Sequence, residues 1–230
     1  MRLFRLFSRK PAVIAIDGTA ASGKGTLARR LAADLEMAYL DTGLLYRYVA
    51  LTARRQGIDW QSEKAVTDLA IKIARTVKPS HLADPTLRSD EAGKGSSVVS
   101  VYPGVRQALF DLQRRFAAKP PPLPDGRLAR GAVLDGRDIG TVIAPEARVK
   151  FFVTARPEIR ARRRFKELQS NGSSVKYEAV LADMLERDRR DAGREAAPMK
   201  PAPDAIILDT STMTIADVLD FAKSCVSDRL

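Results

Sequence analysis

The 230-residue chain has few of the residues from which many protein sites are built: one cysteine, one histidine and one tryptophan. A single cysteine, Cys225, excludes an intramolecular disulfide and any metal site made of clustered cysteines. His81 has no second metal ligand near it in the sequence, so we expect a surface position. No apolar run approaches the ~18 residues that a membrane-spanning helix needs. We therefore expect a soluble, unexported protein of the cytoplasm with no membrane partner.

Positive charge is the strongest feature of the composition. Lysine and arginine together number 39 against 28 acidic residues, which gives a formal net charge of +11. Such an excess favours an anionic partner, which can be nucleic acid, an anionic lipid surface or a phosphate-rich small molecule. The arginines recur along the whole chain rather than in one stripe or tail. This distribution favours a pocket for several phosphate groups.

The chain divides into a short tail and one domain. Residues 1–10, MRLFRLFSRK, carry four basic and no acidic side chains. We interpret them as a frayed basic tail, and a short membrane-surface or partner helix is the alternative. Residues 11–230 are long enough for one full hydrophobic core but short for two.

Short apolar runs alternate with segments of helical period along this domain. The apolar runs are 12–17, 37–40, 132–134, 149–153 and 205–208. Helical period is found in segments such as 44–56, 91–117, 157–170, 175–190 and 214–226. Continuous apolar runs are typical of parallel strands that are buried on both faces. The alternation predicts an α/β fold with a five-stranded parallel sheet and helices on both faces.

The clearest irregular stretch is 119–130, with the sequence KPPPLPDGRLAR. Its proline run and its Asp125-Gly126 pair are incompatible with a regular helix or a central strand. We expect an exposed loop between the helix of 91–117 and the third strand.

A glycine-rich loop, GTAASGKGT, joins the first predicted strand to the first predicted helix. Gly18 and Gly23 allow the backbone to wrap around a phosphate, with successive N–H groups pointing inward at the helix N-terminus. Lys24 can then reach the β- and γ-phosphate oxygens of a nucleotide. The candidate ATP-binding residues of this loop are Gly18, Thr19, Ala20, Ala21, Ser22, Gly23, Lys24, Gly25 and Thr26.

The loop departs from the strict GK-[ST] pattern in one position. Gly25 follows the lysine, and the hydroxyl group arrives one residue later at Thr26. The pattern indicates a nucleotide but no particular reaction, because GTPases, ATPases, small-molecule kinases and nucleic-acid motors share it. The GKGT variant resembles the loop of nucleoside monophosphate kinases.

Four further strings resemble the motifs of bacterial-type cytidylate kinases. The family pattern D-[ST]-G-x-x-Y-R is matched at 41–47, and DGRD-[IM]-GT is matched in full at 135–141. The stretch 88–106 contains a match to the pattern A-S-x-V…P-x-V-R, and the stretch 187–194 resembles the ERD-x-RD-x-x-R segment. The motifs follow the family order over roughly residues 13–225.

The resemblance implies where the acceptor nucleotide lies. Ser97, Arg106 and Asp138 are expected to read cytosine, which presents an exocyclic amine and two acceptor atoms. The other implied residues contact the phosphate and the ribose. The full set expected at CMP or dCMP is Thr42, Tyr46, Arg47, Ser97, Arg106, Arg137, Asp138, Arg187, Asp191 and Arg194.

The resemblance also implies the catalytic residues and the magnesium cofactor that accompanies ATP as co-substrate. Asp135 is the candidate metal ligand, although an acid at a strand end can equally serve as a helix cap. The residues expected at the reacting phosphates are Lys24, Asp135, Arg137 and Arg187.

The arginine run of residues 160–164 has two open interpretations. It is either a solvated charged face or part of a lid, in which case Arg160 and Arg164 contact the phosphates of ATP. The resemblance implies such a lid at about 157–196 and a CMP-binding insert at about 58–118.

The implied function is transfer of the γ-phosphoryl group of ATP to CMP or dCMP by a monomeric enzyme of pyrimidine nucleotide metabolism. A different acceptor, such as UMP, AMP or shikimate, is an alternative. A P-loop protein that binds nucleic acid is a second alternative, motivated by the sequence pI near 10.0. It predicts strongly salt-dependent binding. We expect no stable nucleic-acid partner, since the sequence has no series of stacking aromatics and no basic stripe.

Overall fold

The computed structural model describes residues 11–170 and 172–229. Within them, five parallel strands form one sheet in the order β2-β3-β1-β4-β5. The strands are β1 (Ala12–Gly18), β2 (Ala38–Asp41), β3 (Gly131–Gly136), β4 (Val149–Thr154) and β5 (Ile206–Asp209). The predicted α/β fold with a five-stranded parallel sheet is confirmed. The predicted basic tail, residues 1–10, lies outside the described residues.

Helices cover both faces of the sheet, as predicted. The α-helices of the described residues are α1 (Lys24–Asp34), α2 (Thr42–Arg55), α3 (Glu63–Thr76), α4 (Pro79–Leu82), α5 (Asp90–Val99), α6 (Pro103–Ala118), α7 (Pro157–Ser170), α8 (Tyr177–Ala192) and α9 (Ile215–Ser227). A 3-10 turn, Pro85–Arg88, precedes α5, and a π-helical turn, Ile139–Ile143, follows β3.

Strand β1 lies at the centre of the sheet and is buried on both faces. Ile14 and Ile16 pack in the layer that contains α1 and α9. Val13 and Ala15 point the other way, towards the layer formed by the end of α6 and the π-helical turn. The uninterrupted apolar run in the sequence has this cause, because neither face of a central parallel strand meets water.

One predicted helix is wrong in its extent. The segment 91–117 is two helices, α5 and α6, with a break at residues 100–102. Pro103 has no N–H to donate, and its ring disfavours helical backbone at the preceding residue. Tyr102 accordingly has φ −72° and ψ 119°, which is extended backbone. The break places Ser97 and Arg106 on different helices.

The proline-rich stretch 119–130 is an exposed loop without helix or strand, as predicted. Across the described ranges, no helix combines the length and apolar character needed to cross a membrane.

Two glycines in α5 give a stability test of the packing between α2 and α5. A Cβ on Gly95 would lie 2.6 Å from the Trp60 ring, whereas a Cβ on Gly93 would lie 3.6 Å from its nearest neighbour, Arg47. We expect Gly95→Ala to lower the free energy of unfolding by about 1–3 kcal/mol, through overpacking. Gly93→Ala, the matched control, should leave it unchanged or raise it by up to ~1 kcal/mol, because alanine favours helix.

Urea unfolding of both variants checks this prediction. Equal stability of the two variants would show that Trp60 moves aside at no cost.

Candidate active site

The motif segments meet at one edge of the sheet. Strands β1, β2 and β3 are parallel neighbours, so their carboxyl ends lie side by side. Asp41 pairs in register with Asp135, and Asp17 with Gly136. The loop 18–26 and the segments 41–47 and 135–141 all begin at this edge. Open α/β sheets bind their ligands there.

The backbone conformation of the glycine-rich loop depends on the residue types at several of its positions. A Cβ on Gly18 would lie 1.9 Å from the Val153 carbonyl oxygen, so no other residue fits there. Gly23 has φ 92° just before α1. Ala21 has φ 56°, a conformation that non-glycine residues seldom adopt. The Ser22 hydroxyl donates to the Thr19 carbonyl at 2.9 Å. The loop thus curls around the N-terminus of α1.

A cavity of about 240 Å³ lies between this loop, the start of α2 and the end of β3. Six cationic side chains line it against three acidic ones, Asp41, Asp135 and Glu167. Such a surplus of positive charge around one cavity favours an anionic ligand. The cations are Lys24, Arg29, Arg47, Arg88, Arg137 and Arg187.

Lys24 and Asp135 face each other across the cavity floor, with Nζ and Oδ1 3.5 Å apart. Burial lowers the pKa of Lys24, and the neighbouring Arg137 acts in the same direction. Burial raises the pKa of Asp135 to about 6, against the attraction of Lys24. Burying either the Lys24 ammonium or the Asp135 carboxylate alone would therefore be costly, and each group stabilises the charged form of the other.

Asp135 also explains the glycine that follows the lysine. A Cβ on Gly25 would lie 3.0 Å from Asp135 Oδ2, closer than nearly all Cβ contacts. A serine or threonine at position 25 would therefore crowd the carboxylate. The sequence alone could not reveal this contact, because 110 positions separate the two residues.

Three arginines share the carboxylate of Asp191, which is 1% exposed. Arg137 Nε lies 2.9 Å and Arg187 Nε 3.9 Å from Oδ2, while Arg194 donates to Oδ1. Burial, and after it the neighbouring Arg137, lowers the pKa of Arg187 to about 9. One negative charge thus holds three positive ones, which leaves a net positive group beside the cavity.

A second group contains three of the predicted base-reading or acceptor residues. Arg106 Nη2 lies 2.5 Å from Asp138 Oδ2, and Arg106 Nη1 donates to the Ser100 carbonyl at 3.3 Å. The Arg106 guanidinium also lies over the Tyr46 ring, 5.8 Å from its centroid. The structure therefore brings Tyr46, Arg106 and Asp138 together.

Ser97 faces a different, larger cavity of about 470 Å³ between α5, α7 and α8. Its Oγ is buried and has no hydrogen-bond partner among the described residues. Leu168, Val180 and Met184 give this cavity an apolar wall. The two cavities adjoin, because Arg47 and Arg187 line both.

The predicted phosphate ligands of α2 differ in their surroundings. The Thr42 hydroxyl donates to the Asp135 carbonyl at 2.8 Å, which ties the start of α2 to the end of β3. Arg47 lines the cavity and donates to the Leu87 carbonyl at 2.8 Å. Burial, and after it Arg164, lowers the pKa of Arg47 to about 10. Contact of either residue with a phosphate stays a prediction.

Within the arginine run 160–164, Arg162 is exposed, but Arg160, Arg163 and Arg164 do not form a solvated face. Arg160 is 3% exposed, with Nη2 2.6 Å from Asp188 Oδ2 and Nη1 donating to the Ala20 carbonyl at 3.3 Å. Arg164 pairs with Glu167 at 3.1 Å. Each of these charges has a protein partner, so no polyphosphate is needed to relieve repulsion. Their contact with ATP stays a prediction.

Three residues at this edge of the sheet are not among the site residues predicted from the sequence. Arg29 and Arg88 line the cavity, and Asp17 is buried near the end of β1. Arg29 follows Thr26 by three residues on α1, and this helical spacing was a usable signal. Arg88 lies in a 3-10 turn outside the motifs, and only the fold brings it to the site.

A central parallel strand, a glycine-rich loop that ends in a lysine, and a helix that starts at that loop define a P-loop nucleotide-binding protein. The chain belongs to the cytidylate kinase family, whose sequence model, described as "Cytidylate kinase", matches residues 14–227.

Curated relatives named "Cytidylate kinase" resemble the chain over most of its length. The relative from Rhodospirillum rubrum is 56% identical over 217 residues, covering 94% of this chain and 98% of its own. That from Paramagnetospirillum magneticum is 57% identical over 201 residues, covering 87% and 90%. A solved structure of an uncharacterized protein from Eubacterium ventriosum aligns with TM-score 0.52 and 13% identity, over 96% of this chain and all of that chain. This last likeness bears on the fold alone.

The contact between Gly25 and Asp135 predicts a graded loss of activity. Gly25→Ala adds only the Cβ, and Gly25→Ser adds a hydroxyl that also meets the carboxylate. We expect kcat to fall in both, more in Gly25→Ser, by about 5- to 150-fold for a perturbation of about 1–3 kcal/mol. Steady-state kinetics on protein shown to be folded by urea unfolding measures the effect. Unchanged kcat in Gly25→Ser would contradict the steric explanation.

Proposed function

We propose that the arginine-lined cavity binds the phosphates of donor and acceptor nucleotides in a single phosphoryl transfer. The reaction is that of the family: the γ-phosphoryl group of ATP passes to CMP or dCMP, giving ADP and CDP or dCDP. The observation that carries this assignment is the cluster of guanidinium groups around Asp191, next to Lys24 and the glycine-rich loop. Such a cluster suits two polyanionic substrates that meet end to end.

Phosphoryl transfer depends mainly on positioning and on stabilising negative charge, which spreads over the oxygens of the transferring group. The N–H groups of residues 18–26 and the Lys24 ammonium hold the ATP phosphates. Arg137 and Arg187 stabilise the transferring group, because both line the cavity and both are oriented by Asp191. No general base is needed, since the attacking phosphate oxygen is already ionised.

The acceptor lies on the side of α2. Arg47 and Arg137 bind its phosphate, and Thr42 supports this site by fixing the end of β3. Tyr46, next to Arg106, closes the wall behind the phosphate. Asp191 and Arg194 complete the ribose side.

The base is read by groups at the break between α5 and α6. Asp138 can accept from the cytosine amine, and Arg106 can donate to the acceptor atoms of the base. The Ser97 hydroxyl has no partner in the described part of the chain, which supports its assignment to the base, because a buried polar atom without a partner is costly unless a ligand supplies one.

Magnesium bound with ATP would neutralise charge on the β- and γ-phosphates. The residues fit this ion: the Asp135 carboxylate faces the loop lysine at the cavity floor, and carboxylate oxygens are preferred ligands of Mg²⁺. The described residues contain no cluster of three potential ligands. Mg²⁺ is commonly held by one or two carboxylates together with substrate phosphates and water, so Asp135 is the proposed ligand.

Two helical segments close over the substrates in this proposal. The CMP-binding insert, about 58–118, contains α3 to α6, and the lid, about 157–196, contains α7 and α8. Arg160 and Arg164 lie at the base of the lid, and Arg160 already contacts the glycine-rich loop through the Ala20 carbonyl. Closure would exclude water from ATP. We further propose a monomeric cytoplasmic enzyme of pyrimidine nucleotide metabolism without a stable nucleic-acid partner.

The proposal is tested by ADP release from Mg-ATP with CMP, dCMP, UMP, AMP and shikimate as parallel acceptors. We expect CMP and dCMP to be preferred. Arg137→Ala should lower kcat/KM for CMP by about 10²- to 10³-fold, the usual cost of removing one group that stabilises transition-state charge.

Arg127→Ala is the matched control, because Arg127 is an exposed arginine of the loop 119–130 that pairs with Asp125 and Glu36. Its kcat/KM should stay within about twofold of the original, because Arg127 lines neither cavity and an exposed ion pair contributes little to stability. Preference for a different acceptor would overturn the base-pocket assignments and leave the nucleotide-binding loop intact.

A further inference from the structure

Asp17 lies near the end of β1, the strand that precedes the glycine-rich loop. Its side chain links this strand with the segment that follows the DGRD motif. It ends the apolar run of β1 and is 4% exposed. Its Oδ1 accepts the N–H of Ile139 and its Oδ2 the N–H of Gly140, both at 2.7 Å. None of the proposed catalytic and substrate-binding roles involves this carboxylate.

The two N–H groups belong to the first residues of the π-helical turn Ile139–Ile143. The first N–H groups of a helical turn have no partner within it, and an aspartate at the preceding position is a favoured cap. Asp138 occupies that position, yet its side chain makes no capping bond. It pairs with Arg106 instead. Asp17 supplies the cap from the neighbouring strand, which leaves the Asp138 carboxylate in the base pocket.

The surroundings of this cap are fitted to the carboxylate. A Cβ on Gly140 would lie 3.4 Å from Asp17 Oδ2 and 3.2 Å from Lys150 Cδ, so glycine lets the backbone approach closely. Burial raises the pKa of Asp17 to about 7, while the bonds from Gly140 and Ile139 act against that rise. Because each carboxylate oxygen accepts one backbone N–H, the turn is tied to the end of β1 at two neighbouring points.

We propose that Asp17 is a positioning residue for acceptor recognition, which caps the turn after DGRD in place of Asp138 and so directs Asp138 and Arg137 towards the acceptor. This inference rests on the proposed function, because it assumes that Asp138 reads the base. Since Gly18 follows Asp17 directly, the same strand end sets the donor loop and the acceptor motif relative to each other.

The first test compares Asp17→Asn with the original protein. An amide has one accepting oxygen, and its NH₂ group would oppose one of the two backbone N–H groups. Asp138 should then turn back to cap its own turn. We expect KM for CMP to rise about 10- to 100-fold and the preference for CMP over UMP to shrink by a similar factor. KM for ATP should stay within about twofold.

Two further variants separate positioning from general stability. Asp204→Asn removes the ion pair to the buried Lys150, whose Nζ lies 2.9 Å from Asp204 Oδ1. It should lower the urea midpoint and leave the preference for CMP over UMP unchanged. Gly140→Ala crowds the Asp17 contact from the other side and should shift that preference in the same direction as Asp17→Asn, more weakly. This variant also serves if Asp17→Asn does not fold.

A double-mutant cycle with Asp138→Asn decides whether Asp17 acts through Asp138. If it does, the double variant should discriminate CMP from UMP no worse than Asp138→Asn alone. Additive losses, or an equal rise in KM for ATP and CMP, would overturn the inference. If Asp138→Asn lowers the preference for CMP and Asp17→Asn does not, the inference fails alone. If the original protein prefers another acceptor, the proposed function fails with it.

Discussion

The attraction between the Asp191 carboxylate and three arginines is the interaction on which the site depends. Guanidinium groups repel one another, and each loses solvation on burial. Asp191 offsets both costs for Arg137, Arg187 and Arg194, and the remaining surplus of positive charge faces the cavity. The pKa of Asp191 is held below its usual value by these arginines despite its burial. A ligand with several negative charges is the natural complement of this arrangement.

The sheet places this cluster where a nucleotide-binding loop can use it. Parallel strands end at a common edge, so the loop after β1 and the motif after β3 lie side by side. Helix α8 and the residues just after it supply the remaining members of the cluster, Arg187, Asp191 and Arg194, which lie far from the loop in the sequence. Arg187 on α8 therefore reaches the same cavity as Lys24. The site therefore requires both the local conformation of the glycine-rich loop and the packing of helices that are distant in the sequence.

The sequence predicted the parts of this arrangement that local chemistry determines. The apolar run of β1 predicts a strand buried on both faces, and the glycine spacing of residues 18–26 predicts a phosphate-binding loop. The DGRD string is one of the motifs that carry the family resemblance. The helical period continues across Pro103 and predicts a single helix, so it does not reveal the break before α6. Pro103 itself indicates the start of a new helix at that position. The contact of Gly25 with Asp135 could not be predicted, since it depends on how closely the start of α1 packs against the end of β3.

The adjoining cavities have a consequence for inhibition. Arg47 and Arg187 line both cavities; charged residues line much of each, but the larger one also has an apolar wall that includes Leu168 and Met184. A compound with one compact anionic head and an aliphatic or aromatic body could occupy both at once. Its head would exploit contacts that any phosphate-binding enzyme offers, and its body would meet side chains of α7 and α8. Selectivity over other nucleotide-binding proteins would then come from the body, which need not resemble a nucleoside.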